Sequence, residues 1–145
     1  MHIPVVDIFA GPGGLGEGFS AYTPSRSSKS RPFKIAISAE MEVNAAKTLR
    51  LRAFYRQFAP HKVPDSYYDY VAGRVDRPWT DATKAEWENA CHEARQLKLG
   101  DPEDDKVLHA RIREVASQED PWVLIGGPPC QAYSLVGRAR NRGVV

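Results

Sequence analysis

The sequence is poor in cysteine, nearly balanced in charge and free of long apolar runs, and each shortage closes off a class of protein. Its two cysteines, Cys91 and Cys130, stand far apart in different surroundings, so neither a disulfide framework nor a spaced set of metal ligands is expected. A reduced, intracellular protein without a metal site follows. No apolar run approaches the ~20 residues that span a bilayer, and the opening Met1 to Pro4 lacks the basic start and apolar core of a signal peptide. A soluble protein with no membrane partner is therefore expected. Lys and Arg number 20 against 18 Asp and Glu, so bulk charge neither demands nor excludes a polyanionic partner. There is no internal repeat and no low-complexity tract.

What is present suits one globular domain: 145 residues, 42% of them hydrophobic, are too few for two. Ile3 to Phe9 reads as a buried strand, with Pro4 tolerable near its start. Gly11 to Gly16 turns the chain into a short helix ending near Tyr22, and Thr23 to Arg31 is an unpatterned, Ser-rich loop. Phe33 to Ala39 forms a second apolar run, and Val43 to Phe58 carries Ala46, Leu49, Ala53 and Phe54 at helical spacing. This β-α-β-α order predicts an α/β fold, a parallel sheet with crossover helices. Pro60 to Trp79 is rich in proline and aromatics, and Tyr67 to Tyr70 fits loop, short helix or edge strand equally. Thr83 and Glu86 have capping-box spacing, with Trp87, Ala90, Cys91 and Ala94 following on one stripe that places Cys91 in the core. Asp101 as cap, Pro102 in the first turn and the acidic residues behind it open another helix, buried through Leu108, Ile112, Val115 and Ala116. Trp122 to Gly126 is a further apolar strand, and Pro129-Cys130-Gln131 follows where it breaks into a loop.

Gly11, Gly13 and Gly16 match a dinucleotide-binding fingerprint in its usual setting, after a strand and before a helix. Glycine at these positions admits positive φ and lets a ligand approach the main chain. Glu40, closing the second strand, is placed to hold ribose hydroxyls, although the Ser-rich loop exceeds the customary ~20-residue spacing. A turn that only packs helix on strand would look similar, but four glycines within six residues favour a ligand. A nicotinamide or flavin dinucleotide would fit, and so would S-adenosylmethionine. At the other loop, a free thiol has a pKa of about 8.5, so a nucleophilic Cys130 would need a nearby cation or helix N-terminus. The plain alternative is a small buried residue at a strand end.

Asp7 to Gly16, Ala39-Glu40-Met41 and Gly126 to Ser134 occur in that order, and together they resemble the DNA (cytosine-5) methyltransferase family. Its members open with an Asp-x-Phe-x-Gly-x-Gly-Gly cofactor turn and carry a Pro-Cys-Gln nucleophile loop. The resemblance covers Pro4 to Tyr22, Ile35 to Phe58 and Trp122 to Ser134; residues 60–121 stand outside it as an atypical insertion. It implies a Rossmann-like S-adenosylmethionine-dependent fold, of which residues 1–145 would be the N-terminal cofactor and nucleophile portion. Phe9, Gly11, Gly13, Gly14 and Leu15 would line the methionine part of the cofactor, Glu40 would bind ribose and Met41 would pack on adenine. Asp101 is the candidate for the family's adenine-reading carboxylate, beside its role as helix cap. Cys130 would add to C6 of a flipped-out cytosine in duplex DNA so that C5 accepts the methyl group. Gln131 and Ser134 would contact DNA, and Arg138, Arg140 and Arg142 would meet phosphates, adding affinity without sequence reading. The family's habits also imply a cytoplasmic protein of a bacterial or phage restriction-modification system.

The family's Glu-Asn-Val segment, Arg-x-Arg segment and target-recognition region are not found in the fifteen residues after Cys130. The Trp122 to Gly126 strand also lacks a later strand for its other edge. The expectation is an incomplete enzyme, finished by further residues of the same protein or by a second chain and inactive alone. Two other functions compete: a S-adenosylmethionine-binding module, and a nicotinamide-dependent oxidoreductase that would leave the Pro129-Cys130-Gln131 loop without a role.

Overall fold

The computed structural model describes residues 2–116 and 121–129. Four strands, β1 (Ile3–Ile8), β2 (Phe33–Glu40), β3 (Ala94–Gln96) and β4 (Val123–Gly126), form one sheet in the order β3-β2-β1-β4. Every pairing is parallel. The helices are α1 (Gly14–Ala21), α2 (Val43–Tyr55), α3 (Asp65–Val71), α4 (Lys84–Glu93) and α5 (Pro102–Ala116).

Strand periodicity sends alternate β1 side chains to opposite faces. Val6 packs with Ile37, Ala39, Leu97, Leu108 and Val115 beneath α5, whereas Asp7 faces Gly16 of α1. Helices thus cover both faces. A second cluster, Leu49, Ala53, Phe54, Ala90 and Ala94, joins α2, α4 and β3, with Phe54 edge-on to Phe58 and Trp87. Arg56 ties three helices by pairing with Glu17 of α1 and Glu93 of α4.

Local signals explain most boundaries. Glu42 caps α2 by accepting from the Asn44 and Ala45 amides at 3.0 and 2.7 Å, which hold its carboxyl below the usual range. Asp101 caps α5 by accepting from the Glu103 and Asp104 amides, as its sequence setting predicts. The ambiguous tyrosine stretch lies in α3. The expected Thr83–Glu86 capping box does not form. Thr83 instead closes a box with Thr80 around a 3-10 turn, Asp81–Thr83, its hydroxyl accepting from the Thr80 amide at 3.0 Å rather than capping α4. Cys91 is half-buried rather than sealed in the core, and burial pushes its thiol up.

Candidate active site

The path of the chain across the sheet determines where a ligand can sit. From β1 it moves to β2 and β3 on one side, then returns to place β4 on the other side of β1. The strand order thus reverses between β1 and β4, and a crevice opens at their carboxyl ends. A cavity of about 280 Å³ lies there. Phe9 and Gly11 enter it from the end of β1, Ala39, Glu40 and Met41 from β2, Leu97 and Leu99 from beyond β3, and Gly127 and Pro129 from beyond β4.

The turn after β1 is wound tightly. Phe9, Gly11 and Gly13 take φ of 53, 56 and 97°, a region that costs energy for a residue with a Cβ and is found at sites the surroundings hold in place. Gly13 is also needed for space, since a Cβ there would come within 2.8 Å of Leu49 Cδ2 on α2. A Cβ at Gly11, by contrast, would meet nothing within 4 Å, leaving open room over the main chain.

Glu40 organises the crevice. Its Oε2 accepts from the Gly11 amide and its Oε1 from the Glu42 amide, both at 2.8 Å, while its own carbonyl accepts from the Leu97 amide at 3.0 Å. One residue thereby joins the turns after β1, β2 and β3. On the far wall, a Cβ at Gly126 would stand 2.4 Å from the Ile8 carbonyl oxygen. Glycine lets β4 close on β1 and carries Pro129 to the cavity.

Of the residues read from sequence, Phe9, Gly11, Glu40 and Met41 are brought together in this cavity. Gly13, Gly14 and Leu15 are not among the lining residues; they cap and open α1, where first-turn amides have no intrahelical acceptors. Asp101 is engaged as the α5 cap and is not among the lining residues. Cys130, Gln131, Ser134, Arg138, Arg140 and Arg142 lie outside the described residues. The walls formed by Leu97, Leu99 and Pro129 were not anticipated, and the signal that could have found them is their position just beyond strand ends. Among the described residues, no group of three or more His, Cys, Asp or Glu is placed to hold a metal ion, and no helix is long and apolar enough to cross a membrane.

The chain is similar to a type II methyltransferase. Comparison with curated proteins gives 30% identity over 160 residues with Type II methyltransferase M.Bpa9945I of Bacillus paralicheniformis. That match covers 97% of this chain, running through residues 60–121, and the chain spans about a third, 34%, of the relative's length. No family model matches the chain, and no solved structure does. With its all-parallel sheet flanked by helices and its crevice at the strand reversal, the fold is α/β and Rossmann-like, consistent with that of a methyltransferase.

Proposed function

We propose that the chain is the cofactor-binding and nucleophile portion of a DNA cytosine-5 methyltransferase. The observation that carries this reading is a single cavity that has Gly11, Glu40 and Met41 on one wall and Pro129, the neighbour of Cys130, on the other. Its chemistry suits a nucleoside-bearing cofactor. Apolar side chains from Phe9, Met41, Leu97 and Leu99 surround one carboxylate, and the main chain at Gly11 is unobstructed. The volume of about 280 Å³ lies just below the ~300–1,000 Å³ usual for ligand pockets.

In this reading, Glu40 holds ribose hydroxyls, Met41 packs on the base, and the amides opening α1 face the methionine end with Gly13, Gly14 and Leu15. Asp101 would add an adenine contact if its carboxylate serves the base as well as the α5 amides. S-adenosylmethionine, when bound, supplies an electrophilic methyl group on a sulfonium sulfur. The Cys130 thiolate forms a bond to C6 of a cytosine taken out of the stack, and the displaced π electrons make C5 nucleophilic towards that methyl. Loss of the C5 proton and departure of the thiolate then restore the ring. Gln131 and Ser134 would close on the DNA, with Arg138, Arg140 and Arg142 on its phosphates.

The test is product identity. The intact protein is expected to transfer labelled methyl from S-adenosylmethionine to duplex DNA as 5-methylcytosine, and Cys130→Ala to abolish the transfer. Label recovered as N4-methylcytosine or N6-methyladenine, or full activity in Cys130→Ala, would overturn the reading. The 34% coverage of the relative favours a second possibility, a cofactor-binding part that acts only with further residues or a second chain. Cofactor binding by residues 1–145 without methyl transfer would support it.

A further inference from the structure

The carboxylate of Asp7 has no role in the chemistry above, yet among the described residues it is the one whose two oxygens are both buried outside the hydrogen-bond network. It is fully buried on β1, and neither oxygen makes a hydrogen bond of full geometry, the Gly16 amide being the one donor that acts on it. Its β1 neighbours Val5 and Val6 are equally buried. On the α1 side Gly16 lies against it, where an added Cβ would be 3.1 Å from Asp7 Oδ2 and 3.6 Å from Ile35 Cδ1. A buried, unpaired carboxylate weakens a fold, and an apolar or amide side chain of similar size would suit the site better on packing grounds alone. Residues that oppose stability in this way are commonly retained for function.

We propose that Asp7 is the positioning residue of the glycine turn, holding the first turn of α1 down on the sheet so that Phe9 to Gly13 keeps the shape the cofactor needs. The proposal rests on the cofactor reading above. Asp7 lies two residues before Phe9, and the helix it faces begins at Gly14, so it underlies both ends of the turn. As an anion it attracts the amides and positive dipole end of α1; as a neutral acid it largely loses that hold. Burial pushes its pKa up to about 6, with the Gly16 amide pulling it back. The titratable side chains on the described elements packed around it are Glu17 on α1, paired with Arg56, and Lys34 and Glu40 on β2, the latter bonded to amides. β4 carries none, and none of these contributes to the shift.

Two consequences run in opposite directions. Because the folded-state pKa is raised above its ordinary 3.8, the Asp7 contribution to stability is full below about pH 4 and lost as pH rises through about 6. Asp7→Asn should therefore melt at a higher temperature than wild type at pH 8. Cofactor affinity should move the other way. Wild type is expected to bind S-adenosylmethionine more weakly as pH falls through about 6, while Asp7→Asn binds roughly tenfold more weakly at pH 8 with a flat profile, the loss expected for a charge-assisted contact.

The experiment is calorimetric titration of the intact protein with S-adenosylmethionine from pH 5 to 8, paired with hydrogen exchange of the Gly14 to Glu17 amides over the same range. Protection of those amides that falls below pH 6 in wild type but not in Asp7→Asn supports the proposal even if no cofactor binds, an outcome that would remove the methyltransferase reading alone. Equal affinity and identical pH profiles in the two proteins would overturn it. If Asp7→Asn does not fold, a wild type with no inflection near pH 6 in either readout does the same.

Discussion

Two cavities at opposite ends of the sheet differ in a way that separates a site from a gap. At the amino ends of β1 and β2, His2, Arg31, Lys34, Arg56, Glu86 and Glu93 help line a space of about 480 Å³. It is larger than the 280 Å³ crevice at the carboxyl ends. Yet at the amino end Arg56 is already engaged by Glu17 and Glu93; this edge holds helices together. At the carboxyl end four strand termini converge, the main chain takes left-handed conformations, and Glu40 bonds to turns rather than to a cation. Volume does not mark the site; the reversal of strand order does.

Substituting one organising residue in each region should give opposite signatures. Glu40→Ala removes two charge-assisted bonds to amides as well as the proposed ribose contact, and roughly hundredfold weaker S-adenosylmethionine binding is expected by calorimetry. Arg56→Ala strips the partners from two partly buried carboxylates and should cost about 1–3 kcal/mol in denaturant melts, with the cofactor dissociation constant unchanged. If Arg56→Ala weakened binding as much as Glu40→Ala, the two edges would not be separable.

Asp101→Ala gives the smallest effect, about 1 kcal/mol for loss of a helix cap. It also sharpens the boundary of the site. Affinity that falls together with stability in Asp101→Ala, but is kept in Asp101→Asn, would mean that the residue serves α5 only. Affinity lost in both would place its carboxylate on adenine.

Local chemistry was legible in the sequence, and spatial order was not. The glycine turn, Glu40 at the end of β2 and the Asp101 cap depend on residues within a few positions of one another, so residue type and spacing reveal them. The Thr83–Glu86 box failed because Thr80 offered a competing partner three residues earlier. Leu97, Leu99 and Pro129 reach the cavity only because β3 and β4 flank the β2–β1 pair on opposite sides, a non-local arrangement that no spacing encodes. The burden borne by Asp7 was equally hidden. A lone acid in an apolar strand shows its cost only once α1 is seen lying against it.

The central claim, that the thiol of Cys130 and the crevice closed by Glu40 work as one site, is tested most directly by covalent trapping. Intact protein incubated with S-adenosylmethionine and duplex DNA carrying 5-fluorocytosine should yield a stable protein–DNA adduct. Peptide mass spectrometry should map it to Cys130, and Glu40→Ala should form it only weakly at the same cofactor concentration. An adduct at Cys91, or no adduct from a protein that demonstrably methylates DNA, would contradict the account.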